Sequence, residues 1–346
     1  MNPNIAYFKN AGYGMMMHFG LYSMLAGEYR GQKSSDYAEW IGSYFGIPIK
    51  EYEALAAAFD PIYFDAEEIV KLARDAGMQY LVVTTKHHDG FALFHSKVDS
   101  YNVVDATPFG RDIVGELAAA CKKYGLKIGF YYSQDLDWHE YHGGGYLSRH
   151  IPCSGKSWDN SWDFPSVEDK EYSICFEKKI LPQIEELMSN YGDIFLAWFD
   201  VPMTINAEQS RRIYETVKRL QPNCLVNSRL GNGAYDYVSL GDNEIPRDKE
   251  TWERMSKIDA DAVDYQDIGG FKPSKYGLYE SACTLNRSWG FSYRDQNWIS
   301  PQTLAENRRQ LHTLGINYLV NVGPDGLGRI PGPSIEILLK AKELYG

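Results

Sequence analysis

The chain reads as an α/β protein of the (β/α)8 barrel type, and three observations point there. Eight short apolar runs with strand character alternate with helical patterns over 346 residues, 44% of them apolar, enough for one barrel-sized core. The stretch YLVVTTKHHDGFALF at residues 80–94 is a near-continuous apolar run that stops at two histidines, an aspartate and a glycine. That is how a strand covered on both faces ends at the carboxyl rim of a parallel sheet. Finally, no G-x-G-x-x-G follows a strand and no G-x-x-x-x-G-K-S/T occurs, so an open nucleotide-binding sheet lacks its usual marks.

Taken in order, the first strand is expected at 14–18, followed by helical patterns at 49–59 and 66–76. Asp65, ahead of Ala66-Glu67-Glu68, has the chemistry of an N-cap with an acidic first turn, and Gly77 stands where a helix ends in the left-handed conformation. Strand two is expected at 80–85 and its helix at 113–123. Strand three (127–132) leads to a helix at 167–190, strand four (194–199) to a helix at 207–220. Strands five (224–227) and six (235–240) come next with little between them. Strand seven (278–285), a helix at 301–314, strand eight (318–322) and a closing helix at 334–344 complete the pattern. Two insertions interrupt it. One runs from glycine-rich His142-Gly143-Gly144-Gly145-Tyr146 to Pro165 and carries Trp158 and Trp162; the other, 240–275, is polar and without apolar period. A single catalytic domain over 1–346 is expected.

The net charge of −11 comes without a long block of one sign, which disfavours a nucleic-acid partner or an anionic membrane and suits a neutral small molecule or glycan. Five cysteines, at 121, 153, 175, 224 and 283, have no metal-type spacing, and four fall within expected elements, as reduced core thiols would. The first twenty residues lack a basic start followed by an unbroken apolar region, and no run of eighteen apolar residues occurs. A cytoplasmic protein is the expectation, with a homo-oligomer left open.

The residues at the strand exits are not those of ordinary turns. His18 closes strand one, and His87 and His88 come after strand two. Tyr131, Tyr132, Asp135, Asp137 and Trp138 end strand three; Trp198-Phe199-Asp200 end strand four; Asn227 and Arg229 succeed strand five. Asp242 and Glu244 succeed strand six, Glu280, Asn286 and Trp289 belong to strand seven and its exit, and Asn321 to strand eight. A buried histidine such as His18 is as well explained by packing as by chemistry, and His87 and His88 point to opposite faces if the strand continues through them. Asp200 is different. A carboxylate directly after Ile-Phe-Leu-Ala-Trp-Phe is costly to bury unpaired, so it needs a partner or the rim.

Several segments together resemble the α-L-fucosidases of glycoside hydrolase family 29. They are His18-Phe19-Gly20, Tyr37-Ala38-Glu39-Trp40, Lys86-His87-His88-Asp89-Gly90-Phe91 and Gly129-Phe130-Tyr131-Tyr132-Ser133. Further along come Trp198-Phe199-Asp200, Asn227-Ser228-Arg229, Glu280-Ser281-Ala282-Cys283 with Ser288-Trp289-Gly290, and Asn321-Val322-Gly323-Pro324. The resemblance implies a retaining exo-α-L-fucosidase acting on fucosylated oligosaccharides or glycoconjugates through a covalent fucosyl-enzyme, with no metal and no organic cofactor. It makes Asp200 the nucleophile and His18, Glu39, Trp40, His87, His88, Tyr131, Trp198, Arg229 and Trp289 the fucose-binding residues. A 6-deoxy sugar needs directional partners for its hydroxyls and an apolar wall for its methyl, and these side chains supply both.

Two features depart from the family pattern. Where many relatives carry a glutamate in E-x-x-I-P, this chain has Asp242-Asn243-Glu244-Ile245-Pro246, so Asp242 takes the acid/base position with Glu244 and Glu280 in reserve. A barrel without the C-terminal β-sandwich that many members add is expected. Two other readings remain at this level: a metal-dependent hydrolase using His18, His87, His88 and an aspartate, and a fucose-binding homologue without activity.

Overall fold

The computed structural model describes residues 2–34, 37–148, 152, 154–248 and 274–345. Eight strands, β1 (Tyr13–Met17), β2 (Tyr80–Lys86), β3 (Lys127–Tyr132), β4 (Leu196–Phe199), β5 (Leu225–Val226), β6 (Val238–Ser239), β7 (Tyr279–Thr284) and β8 (Ile316–Val322), form one sheet. Its order is β5-β4-β3-β2-β1-β8-β7-β6, and every pairing is parallel.

The sheet curls. Met16, Tyr80, Tyr131, Trp198, Leu225, Ala282 and Leu319, from strands across the width of the sheet, share one buried cluster with Phe8 and Tyr237. The edges approach at an isolated parallel bridge between Asn227 and Tyr237, where the N–H groups of Asp236 and Tyr237 donate to the Val226 carbonyl at 2.8 and 3.2 Å. The Ser228 hydroxyl oxygen accepts from the Ser239 N–H at 3.1 Å, standing in for a ladder bond these two-residue strands cannot make.

Helices lie between most of the strands: α1 (Pro3–Ala11), α2 (Ala66–Asp75), α3 (Ile113–Tyr124), then an α4 assembled from Tyr172–Cys175, Phe176–Ile180 and Leu181–Asn190, followed by α5 (Ala207–Leu220), α6 (Pro301–Thr313) and α7 (Gly332–Tyr345). Asp65 accepts from the Glu68 N–H at 3.0 Å as the cap of α2, and Gly77 takes φ +80°. The predicted helix 167–190 is broken instead: a 3-10 turn covers Val167–Asp169, and Phe176–Ile180 is a π segment. Pro182, in the first turn of Leu181–Asn190, has no N–H for an ordinary helical bond, and the wider turn absorbs it. Sequence periodicity did not reveal α1, although Asn2, Pro3 and Gly12 frame it as cap, first residue and left-handed end. It closes the amino ends of the strands, with Asn4 Nδ2 donating to the Asn223 carbonyl at 2.9 Å and Phe8 packing on Tyr237.

One expectation fails locally. β2 ends at Lys86 after a register shift at Thr84/Lys86, so His87 and His88 sit in a turn and face the same side, their ring centroids 4.1 Å apart. Most of the 240–275 insertion, residues 249–273, lies outside the described residues, as does Cys153. The four described cysteines are buried and free. Among the described residues, no helix is long and apolar enough to cross a membrane.

Gly14 of β1 lies under the Tyr80 ring, where an added Cβ would come within 2.5 Å of ring carbons. Gly14→Ala is therefore expected to destabilise the fold by about 1–3 kcal/mol, read from chemical denaturation, because a rigid ring has to move within a filled interior.

Candidate active site

The carboxyl ends of the strands open on a cavity of about 220 Å³, lined by His18, Glu39, Trp40, His87, His88, Tyr131, Trp198, Asp200, Arg229, Asp242 and Trp289. These eleven are the sequence-nominated nucleophile, first acid/base candidate and sugar-binding set. Met16, Tyr37, Trp158, Val201 and Gly241 complete the wall. Of these, Met16 was hidden in an apolar run, Val201 carried no signal, and Trp158 and Tyr37 stood only as members of an insertion and a motif.

Arg229 organises the polar side. Its Nη1 donates to Asp200 Oδ1 at 2.9 Å, while Nη2 donates to Asp242 Oδ1 at 2.6 Å and to the Leu240 carbonyl at 2.9 Å. The guanidinium lies 4.9 Å from the Trp198 ring centroid, packed against its face. Asp200 Oδ2 accepts from Tyr131 Oη at 3.0 Å. Burial pushes the Asp200 carboxyl above its ordinary range; Arg229 opposes that shift, the Asp242 charge adds to it, and Tyr131 opposes it. The two carboxylates differ in access, with 13% of the Asp200 side chain exposed against 35% of Asp242.

Each carboxylate is followed by a residue in the left-handed region, Val201 at φ +49° and Asn243 at φ +60°. For a β-branched residue this costs roughly 1–3 kcal/mol and persists only where neighbours enforce it. Asp135 Oδ2 does so beyond Val201, accepting from the N–H groups of Met203, Thr204 and Ile205 at 2.8, 2.6 and 2.7 Å. Beyond Asp242, Asn243 donates its N–H to the Ala282 carbonyl at 3.0 Å and accepts from the Thr284 N–H at 2.8 Å. Glu244 Oε2 accepts from the Gly241 N–H at 3.0 Å, bracing the same turn.

His18 and His88 are held neutral in defined tautomers. Ser133 Oγ donates its proton to the Leu136 carbonyl at 2.7 Å, so at 2.7 Å from His88 Nδ1 it acts as acceptor and His88 carries Nδ1–H. Asn321 Nδ2 donates to the Trp289 carbonyl at 2.7 Å, which leaves Asn321 Oδ1 to accept from His18 Nδ1–H at 2.8 Å. In both rings Nε2 remains as an acceptor. Burial drives the pKa of His18 down to about 4 and those of His87 and His88 well below the ordinary value. His87 stacks on Tyr131 at 5.4 Å, and its Nδ1 is buried with no hydrogen-bond partner among the described residues.

A pair of carboxyl groups, one mostly buried and one partly exposed, a cation between them, neutral histidine acceptors and aromatic walls form a small pocket suited to a sugar ring. Comparison with known proteins gives the same direction. The family model described as Alpha-L-fucosidase matches residues 2–343. The chain belongs to the α-L-fucosidase family. It is 62% identical to the unliganded α-L-fucosidase AlfC from Lactobacillus casei, covering 100% of this chain and 98% of that one with a TM-score of 0.91. AlfC is also described with α-L-fucose product, and as a D200A variant with 4-nitrophenyl α-L-fucopyranoside or with Fucα(1,6)GlcNAc. The α-L-fucosidase from Vibrio sp. strain EJY3 is 32% identical, covering 99% of this chain and 55% of its own, with a TM-score of 0.84. Human tissue α-L-fucosidase is 33% identical over 94% of this chain. The chain spans 64% of the human enzyme's length and 53% of Arabidopsis thaliana α-L-fucosidase 1.

Within this fucosidase site the two reserve carboxyls are not at the cavity wall. Glu280 lies beneath it, fully buried, accepting from Tyr80 Oη at 2.7 Å and from Trp198 Nε1 at 2.9 Å. It holds the tryptophan on which Arg229 rests. Burial raises its pKa to about 7, and Glu39, which accepts from the Gly290 N–H at 2.8 Å, is likewise pushed up to about 7 by burial. Among the described residues, Asp99, His139 and Glu140 alone cluster closely enough for a cation, and the Lys179 ammonium already lies 2.7 Å from Asp99 and 3.3 Å from Glu140.

The Glu280 shift has a definite sign for stability. Between its ordinary value of 4.5 and about 7 the native state keeps a proton that the unfolded chain has released, so stability falls as pH rises across that window. Ionisation then costs on the order of 3 kcal/mol above pH 7. In urea unfolding between pH 4.5 and 8, Glu280→Gln should gain on the wild type as pH rises and level off above 7; a constant difference would contradict the assignment.

Proposed function

We propose that this chain is a retaining α-L-fucosidase built on a distorted (β/α)8 barrel whose thin seam is the β5–β6 contact. The observation that carries the reading is the Arg229 guanidinium bridging Asp200 and Asp242 at the wall of a cavity sized for one sugar ring. Asp200, ionised, attacks the anomeric carbon while Asp242 delivers a proton to the departing oxygen. The resulting fucosyl-enzyme is an ester, so Asp200 has lost its charge and Asp242 has gained one. Arg229 therefore faces one carboxylate charge in both states. Asp242 then takes a proton from water as the water oxygen attacks the anomeric carbon and the ester bond to Asp200 breaks, which frees the Asp200 carboxylate and releases fucose with its configuration retained. Retention calls for carboxyls roughly 5–5.5 Å apart, and sharing the two terminal nitrogens of one guanidinium holds Asp200 and Asp242 near each other.

His18 and His88 accept hydroxyl protons through Nε2, Glu39 and His87 offer further polar contacts, and Trp40, Tyr131, Trp198 and Trp289 cover the apolar faces. Met16 of β1 completes the apolar lining. The substrate class is a fucosylated oligosaccharide or glycoconjugate. The AlfC complex with Fucα(1,6)GlcNAc makes an α1,6-linked N-acetylglucosamine the first aglycone to test.

Asp200→Ala should lower turnover of 4-nitrophenyl α-L-fucoside by at least roughly 10⁴-fold, with azide restoring part of it as the inverted fucosyl azide. Wild-type turnover in that variant would refute the role. Asp242→Ala should cost about 10²–10⁴-fold on a natural disaccharide and much less on the activated aryl glycoside, which needs little proton assistance. Equal losses on both substrates would move the acid/base role elsewhere.

A further inference from the structure

Gln134 comes directly after Ser133 at the carboxyl end of β3, is fully buried, and does not line the cavity. Its side chain nevertheless spans the two loops that carry the charge pair. Oε1 accepts from the backbone N–H of Asp200 at 2.9 Å, and Nε2 donates to the backbone carbonyl of Arg229 at 3.0 Å. The same two residues pair through their side chains at 2.9 Å, so one carboxamide holds from behind the ion pair that the cavity sees from the front. Its orientation is unambiguous, because reversing the amide would set donor against donor at Asp200 and acceptor against acceptor at Arg229. The clamp is itself held: the Gln134 carbonyl accepts from Tyr172 Oη at 2.5 Å, and neighbouring Asp135 fixes residues 203–205.

Val201 makes such a clamp necessary. A valine at φ +49° gives the turn after Asp200 a local preference to relax, and the relaxation would begin at the Asp200 N–H. We propose that Gln134 is a positioning residue for the glycosyl-transfer step, setting the spacing of Asp200 and Arg229 so that the carboxylate meets the anomeric carbon at reacting distance. This rests on the reading of Asp200 as nucleophile.

The test uses the whole chain and a 2-deoxy-2-fluoro-fucosyl fluoride, which traps the fucosyl-enzyme. Gln134→Met keeps length and bulk but removes both bonds. Its inactivation rate constant per folded molecule should fall on the order of 10–100-fold, while L-fucose affinity by calorimetry changes by less than about twofold, as expected when a nucleophile is misplaced rather than a pocket lost. Gln134→Glu adds a readout that general loosening would not move. As a neutral acid it reproduces the acceptor and donor of glutamine, whereas its ionised form sets an acceptor against the Arg229 carbonyl, so its rate relative to wild type should rise as pH falls. Wild-type inactivation rates in Gln134→Met, or an equal loss of fucose affinity, would overturn the proposal. Should Gln134→Met not fold, a pH-independent ratio in Gln134→Glu would overturn it alone. Peptide mapping of the wild-type label separates the two levels: a label away from Asp200 defeats the nucleophile reading, while a label on Asp200 with unchanged variant rates defeats only the clamp.

Discussion

The constraint on which this site depends is that two carboxyl groups share one largely buried guanidinium. Asp200 and Asp242 accept from the two terminal nitrogens of Arg229, and neither could lie so close to the other without a cation between them. Everything around the trio keeps it from rearranging. Trp198 carries the guanidinium on its face, Glu280 and Tyr80 hold Trp198 from below, and the Leu240 carbonyl occupies a further guanidinium donor. Strain on the chain side, at Val201 and Asn243, is stored where the carboxylates must be aimed.

The rest of the pocket is built for a neutral ligand. Three buried histidines at a rim would ordinarily suggest titration or metal binding. Here burial suppresses protonation, and the second-layer partners Ser133 and Asn321 fix the tautomers of His88 and His18, so those rings act as hydrogen-bond acceptors with a fixed direction. Such acceptors suit hydroxyl groups, and the aromatic rings between them suit the less polar faces of a deoxy sugar. Charge at the wall is confined to Asp200, Asp242 and Arg229 and to Glu39, whose carboxyl burial pushes up to about 7.

Much of the architecture was legible in the residues. The eight strands fall close to the runs from which they were expected, because strands buried on both faces are written as unbroken apolar stretches, and Asp65 and Gly77 bound α2 as their chemistry requires. Boundaries were less legible where side chains replace ladder bonds, as at Val238–Ser239, and where a proline forces a π turn, as in α4. His87 and His88 illustrate the limit. Alternation assigns them opposite faces, but β2 stops at Lys86, and a turn brings both to the cavity.

By itself, the sequence determined which side chains stand at the strand ends, since a parallel sheet delivers the residues after each apolar run to one rim. It therefore put Asp200, the histidines and several aromatic residues at one rim, and the family resemblance supplied their roles. It put Asp242 ahead of Glu244 and Glu280 only through the family's E-x-x-I-P anchor, and it could not find Gln134, whose partners are backbone groups 66 and 95 positions away. Those questions turn on depth and direction. Tertiary packing put Glu280 under an indole, Glu244 against Gly241 and Asp242 at the wall, because hydrogen-bond geometry between loops distant in sequence is decided only when the sheet curls and brings their ends together.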